Sequence, residues 1–218
     1  AEGLQFPEGP VAMPDGSVIL VEIKRQTLTR VRPDGRRETI AEIPGGPNGA
    51  ALGPDGRVYV CNNGGFEWRE IMGQTIAGDA SADYRGGSIL AVDLKSGKAE
   101  TLYTEVGGHR LKGPNDIVFD RSGGFWFTDL GKSYHRHRDH GGLYYAKADG
   151  SRIVEAAYPL FSPNGVGLSP DEKTVYVADT FTARLYAFDL SAPGEIAPSP
   201  LPLPGRVVGS VPGMQFFD

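Results

Sequence analysis

Four oxygen-bearing side chains occupy the same place in four copies of one short sequence. The copies are Phe6-Pro7-Glu8-Gly9, Gly46-Pro47-Asn48-Gly49, Gly113-Pro114-Asn115-Asp116 and Ser162-Pro163-Asn164-Gly165. In each, a polar residue directly follows a proline. Matching residues of a repeat converge on one point when the units stack or close into a ring. Glu8, Asn48, Asn115 and Asn164 would then form a hard, all-oxygen donor set suited to Ca²⁺ or Mg²⁺, with Mn²⁺ also compatible. Zinc more often recruits histidine or cysteine, which keeps Zn²⁺ as an outlying alternative.

The elements that position these residues repeat as well. Seven residues after each proline comes a turn: Pro14-Asp15-Gly16, Pro54-Asp55-Gly56, Arg121-Ser122-Gly123 and Pro170-Asp171-Glu172. A strand-like run follows each turn, then a third apolar segment and a weaker fourth one, the last of them near Ile196–Leu203. Four short strands per unit, with prolines 40, 67 and 49 residues apart, predict an all-β propeller rather than a sandwich, which needs no in-phase copies. The irregular spacing comes from insertions at 63–86 and 130–142, after the second strands of units two and three. Such insertions overhang the face that the first-strand residues line, where specificity usually resides. Trp68 in the longer insertion reads either as a lid aromatic or as local packing.

Composition agrees with many turns between short strands. The chain has 218 residues, with 31 glycines and 17 prolines, yet it also carries ten Phe, nine Tyr and two Trp. A disordered chain would lack those aromatics. A net charge of −5 and an isoelectric point near 5.4 argue against nucleic acid as a partner. No apolar run approaches the ~20 residues that span a bilayer, so no membrane partner is expected. Cys61 is the single cysteine and excludes an internal disulfide, which leans towards a cytoplasmic setting. The chain begins at Ala1, so a processed leader stays open as an alternative.

Val211–Asp218 reads as the opening of a fifth unit, in which Asp218 takes the place of Glu8 and the asparagines. Four blades and a stub do not close a ring. The chain is therefore expected to be one propeller domain over 1–218, incomplete at its C-terminus.

The Glu8-Gly9-Pro10 opening, Pro114-Asn115-Asp116 with the later Phe125-Trp126-Phe127-Thr128-Asp129, and Asn164-Gly165 together resemble the gluconolactonase or senescence-marker-protein (regucalcin) family. The resemblance covers essentially the whole chain. It implies a six-bladed propeller of four-stranded blades, of which this chain supplies about four and the start of a fifth. It further implies one divalent ion, Ca²⁺ first, held by Glu8, Asn164 and Asp218, with Asn115 as a ligand or as a substrate-orienting group. The activity implied is hydrolysis of a small-molecule lactone, a sugar lactone first.

Within that chemistry Asp218 or Asp116 would be the general base, while Asn115 and Asn48 suit orientation of the substrate, because an amide takes no proton at neutral pH. Arg184, close after Asp179, is placed to reach a substrate hydroxyl or carboxylate. Glu22, Asn62, Asp129 and Asp179 end the second strands in phase. They read either as supports of the site or contacts to substrate, or equally as hydrogen-bond partners of turns. His135, His137 and His140 match no common metal spacing and lie beside Arg136 and Arg138, so they read as a solvated loop. A phosphotriesterase or arylesterase on the same scaffold, or a non-catalytic calcium- or protein-binding propeller, are the alternatives. The oligomeric state is not legible.

Overall fold

The computed structural model describes residues 1–199, 205–212 and 218. All regular structure among them is β. Sheet 1 is β1 (Pro7–Ala12), β2 (Val18–Glu22), β3 (Thr27–Val31) and β4 (Arg37–Glu42), joined in chain order and antiparallel throughout. Sheet 2 takes β5 (Pro47–Leu52) and β6 (Val58–Asn62), then, after a hairpin of β7 (Phe66–Ile71) and β8 (Gln74–Ala80), β9 (Ser88–Val92) and β10 (Ala99–Tyr103). A short hairpin, β11 (Glu105–Val106) and β12 (His109–Arg110), leads to sheet 3. That sheet has β13 (Pro114–Phe119), β14 (Gly124–Asp129), the small hairpin β15 (Ser133–Tyr134) and β16 (His137–Arg138) outside it, β17 (Gly141–Lys147) and β18 (Ile153–Leu160). Sheet 4 has β19 (Pro163–Leu168), β20 (Thr174–Asp179) and β21 (Arg184–Ala192), with β22 (Glu195–Ile196) and β23 (Arg206–Ser210) both paired to β21.

The fourth strand of sheet 4 therefore includes Arg206–Ser210, later than the segment expected near Ile196–Leu203; residues 200–204 lie outside the described residues. The expected fifth opening falls largely on residues 213–217, also outside them. The fold is thus four propeller-like sheets. Among the described residues no hydrophobic cluster joins sheet 4 to sheet 1.

Strand alternation builds the core between sheets. In β6, Val58 and Val60 face sheet 1 and pack with Ile19, Val21, Leu28 and Ile43, while Tyr59 and Cys61 face sheet 3 and pack with Phe125 and Phe127. In β14 the same two-residue period sends Trp126 the other way, onto Val175, Val177 and Phe188 of sheet 4. Each such buried side chain contributes ~1.5–3 kcal/mol relative to exposure, which is why the sheets stack face to face.

Innermost strands β1, β5, β13 and β19 share a defect that sets the site. Each has a register shift against its partner, between Glu8 and Val11, Pro47 and Ala50, Pro114 and Ile117, and Pro163 and Val166. A bulge leaves an extra residue unpaired and re-aims its side chain. The repeated polar residue sits at or beside this bulge in all four copies.

The glycine after it is needed for close approach. A Cβ on Gly49 would lie 2.3 Å from the Asn115 carbonyl oxygen, and one on Gly9 would lie 2.4 Å from the Ala50 nitrogen. Successive innermost strands thus meet backbone against backbone.

Candidate functional site

Glu8, Gly9, Pro10, Asn48, Gly49, Asn115, Asp116 and Asp218 line one cavity of about 180 Å³. Its walls are the bulges of β1, β5 and β13 with Asp218 opposite. Asn48 and Asn115 are buried, at 7% and 6% exposure. Among the described residues neither amide side chain hydrogen-bonds to protein; neither is a sealed, unsatisfied group, since both line the open cavity. Among the described residues no lysine or arginine lines the cavity.

Its carboxyl groups are under electrostatic stress. Burial pushes the Glu8 carboxyl above its ordinary range, and Asp218 and then Asp116 raise it further against one backbone hydrogen bond from Gly9. Burial raises Asp116, with Asp218 adding to it and two backbone hydrogen bonds opposing. Asp218 is raised by burial. Three carboxyl groups without a facing lysine or arginine among the described residues, next to two amides free to bind in the cavity, fit a divalent ion chemically. Among the described residues no three His, Cys, Asp or Glu side chains are grouped tightly enough to hold an ion by themselves. Any ion here therefore draws on the amides, as the repeat implies.

The carboxyl groups differ in freedom. Asp116 Oδ1 accepts the Ile117 N–H at 2.8 Å and Oδ2 accepts the Val166 N–H at 2.9 Å. It thereby ties sheet 3 to sheet 4 at the position where the other copies carry glycine. Asp218 packs beside Gly165, its carbonyl carbon 2.9 Å from where a Cβ on that glycine would stand.

Two expected site residues lie outside this group. Asn164 occupies the equivalent bulge of β19, and its Nδ2 donates to Thr180 Oγ1 at 2.9 Å. It sits next to Gly165 and so flanks Asp218, but it does not line the cavity. Arg184 is exposed at the start of β21, beside the Tyr186 hydroxyl, and is not among the lining residues.

The strand-end residues are bound to turns. Glu22 accepts the Gln5 N–H at 2.7 Å, Asn62 Oδ1 the Gly46 N–H at 2.9 Å, and Asp129 the Lys112 and Gly113 N–H groups at 2.7 and 2.6 Å. Asp179 accepts the Ser162 N–H at 2.9 Å. In every sheet the end of the second strand thus grips the chain just before the proline of the first. This clamp fixes where the bulge begins.

One place earlier in those strands, Cys61 Sγ donates to the Asp116 carbonyl at 3.7 Å and Thr128 Oγ1 to the Asn164 carbonyl. Cys61 is fully buried and its thiol is pushed well up by desolvation, then by Asp116 and Asp129. It is a structural contact and not a nucleophile.

The insertion of sheet 3 makes aromatic contacts of its own and with sheet 4. Tyr134 and His137 stack at 4.4 Å, and Arg138 lies between the rings of Phe161 and Phe181, at 5.5 and 5.0 Å. His137 and His140 make ring contacts with Tyr134 and Phe161, and all three histidines are exposed. The residue that sequence reasoning missed is Lys132. It is 1% exposed, and its Nζ donates to Gly65 O at 2.6 Å and Asn63 Oδ1 at 3.1 Å. It also sits 3.8 Å above the Phe66 ring. Only its place inside an insertion hinted at a role. A larger hollow of about 770 Å³ lies at the outer edges of sheets 3 and 4, among Tyr158, Phe188 and Val207; it brings together no comparable donor set.

Known proteins are similar to this chain in sequence and fold. The family described as SMP-30/gluconolactonase/LRE-like region matches residues 6–201. The lactonase drp35 of Staphylococcus saprophyticus is 32% identical over 211 residues, which covers 95% of this chain and 58% of that protein. The gluconolactonase of Zymomonas mobilis is 26% identical over 218 residues, covering 89% and 55%. Among solved structures, the gluconolactonase XC5397 of Xanthomonas campestris superposes with a TM-score of 0.70 at 26% identity, covering 94% of this chain and 63% of that one. The chain therefore spans between half and two thirds of the length of these relatives. On the extent of the match, four in-phase sheets and the bulged polar centre, the chain belongs to the SMP-30/gluconolactonase/LRE-like family.

Proposed function

We propose that this chain carries the active centre of a divalent-metal-dependent hydrolase that opens a lactone ring, a sugar lactone first. The observation that carries the reading is the cavity itself, where two amides without protein hydrogen bonds among the described residues share the lining with Glu8, Asp116 and Asp218, and where burial and then Asp218 raise the proton affinity of Glu8. The lactonase and gluconolactonase relatives support the same reaction class. Glu8, Asp218 and Asn115 would hold the ion, with Asn164 at the flank. Ca²⁺ suits this all-oxygen set best, and Mg²⁺, Mn²⁺ or Zn²⁺ are the alternatives. When bound, such an ion supplies Lewis-acid polarisation of the lactone carbonyl and stabilises its developing oxyanion.

The residues of the chain do the rest. Asn48 turns its amide into the cavity and orients the lactone through its ring oxygen or a hydroxyl. Asp218 takes the proton from the attacking water, because both oxygens of Asp116 are engaged by backbone N–H groups. Water adds to the acyl carbon, the ring C–O bond breaks, and the proton is returned to the leaving alkoxide, giving a hydroxy acid. Arg184 has no place in this scheme.

A six-sheet ring is part of the proposal. The inner strand of sheet 4 is only half-buried over most of its length, whereas that of sheet 2 is mostly buried, and two further sheets would cover it.

The test is a panel of sugar lactones, aryl esters and phosphotriesters, each assayed with and without chelator. Chelator-sensitive turnover confined to lactones supports the proposal. Turnover of phosphotriesters or aryl esters alone moves the assignment to that chemistry, and silence across the panel with retained Ca²⁺ binding makes the protein a binding module.

A further inference from the structure

The insertion hairpin β7–β8 reaches the residue that precedes β1. Its Trp68 packs on Phe6, ring centroids 5.0 Å apart, and on Phe66 at 6.0 Å. Phe6 lies two residues before Glu8 and has φ of +56°. A non-glycine residue persists in this left-handed region only where its surroundings enforce it, and such strain gathers at functional sites. The backbone around Phe6 is tied on one side, through Ile23 N–H to Phe6 O at 3.0 Å and Gln5 N–H to Glu22 at 2.7 Å. Its ring is met by Trp68.

The hairpin itself is anchored at both ends. On the sheet 1 side, Lys24 Nζ bonds Glu70 Oε1 at 2.9 Å and Thr75 Oγ1 at 3.4 Å. On the sheet 3 side, Lys132 Nζ holds Gly65 O and Asn63 Oδ1 and covers the Phe66 ring. A buried ammonium met by a carbonyl, an amide oxygen and ring faces is an expensive device. It fastens the insertion of sheet 3 to the base of the hairpin of sheet 2.

We infer that the hairpin is a strut for Glu8. Lys132 fixes its base, Phe66 and Trp68 pass that fixation across the mouth, and Trp68 holds Phe6 in the conformation that aims Glu8 into the cavity. Trp68 and Lys132 are thus positioning residues that touch neither substrate nor ion. The functional part of this inference rests on the reading of Glu8 as a cation ligand, whereas the strut can be measured without any cation.

Two measurements on the full chain test it. Hydrogen exchange of the peptide covering residues 5–12, in chelator, should quicken in Trp68→Ala and in Lys132→Met and stay near wild type in Trp68→Phe, which keeps a ring against Phe6. Ca²⁺ titration calorimetry should then show affinity lowered roughly 10- to 100-fold in the first two variants, the range seen when a supporting partner of a ligand is lost, with Trp68→Phe close to wild type. Unchanged exchange in Trp68→Ala, with the protein still folded by circular dichroism, overturns the strut. Faster exchange with unaltered Ca²⁺ affinity overturns its link to Glu8. If wild type binds no Ca²⁺ while exchange still responds, the strut stands and the cation reading of the cavity fails.

Discussion

The Asp116 carboxylate accepts the Val166 N–H at 2.9 Å, joining the bulges of two neighbouring sheets beside the acidic cavity. In the other copies glycine stands at this place, so the bond belongs to one junction only. It separates two aspartates that sequence alone could not rank as bases. Asp116→Asn should turn an amide N–H towards a backbone donor and leave one of them unmet, at a cost of ~1–3 kcal/mol. We expect a lower urea midpoint for Asp116→Asn. Asp218→Asn should keep the midpoint near wild type and lose lactone turnover, and parallel denaturation and rate measurements separate the two.

Glycines at the junctions and glycines in turns should respond differently to alanine. A Cβ on Gly49 meets the Asn115 carbonyl oxygen at 2.3 Å and the Asp116 Cα at 2.7 Å, both backbone atoms. Gly56 has φ of +79° and open space around it. Gly56→Ala should therefore cost about 1 kcal/mol for its backbone conformation alone. Gly49→Ala should cost more, ~2–3 kcal/mol, since the neighbour cannot yield. Thermal melts of the two variants check the order.

A pH dependence follows from Lys132, whose pKa is brought down to about 7, chiefly by burial and against the opposing pull of Asp129. An unfolded lysine titrates near 10.4. Between those values the unfolded chain binds more protons than the folded one, so this group makes the protein more stable as pH rises, by at most about 1.4 kcal/mol per unit. Below pH 7 both states are protonated and the charge penalty is carried in full. The stability of wild type relative to Lys132→Met should thus improve from pH 7 to pH 10. Denaturant titrations at pH 6, 8 and 9.5 read that slope, and a flat difference contradicts it.

Cation binding should show in stability as well as in turnover. At a Ca²⁺ concentration 100-fold above Kd, the ion should stabilise the fold by about 2.7 kcal/mol, seen as a rise in Tm that chelator abolishes. Glu8→Gln keeps the size of the side chain but removes its charge, and should lose most of that rise without unfolding the apo protein. Differential scanning calorimetry with Ca²⁺ and with chelator gives the comparison.

The four-strand repeat was legible because its determinants are local. Proline, Asp-Gly turns and two-residue alternation mark β1–β3, β5–β6 and β13–β14 to within a residue or two. The in-phase polar residues were legible for the same reason, and Glu8, Asn48, Asn115 and Asp218 do share one cavity.

Long-range contacts were not. Lys132 reaches Asn63 across 69 residues of sequence, and nothing in its neighbours marks a buried amine. The left-handed Phe6 is likewise invisible, since phenylalanine carries no turn signal. Asn164 was matched in phase with Glu8, Asn48 and Asn115, but its tie to Thr180 depends on a loop geometry that spacing does not encode. The strand-end residues carried two equal readings, and only the paired N–H groups ahead of each proline decide for the turn.

Because sheets 1, 2 and 3 touch at the centre through main chain, the mounting of the site there is independent of what is mounted on it. The side chains at Glu8, Asn48 and Asn115 project from a frame whose spacing is set by glycines and carbonyls. Exchanging one donor for another there leaves the inter-sheet contact intact. If the centre works as proposed above, positions 8, 48 and 115 are the natural sites for re-engineering its chemistry.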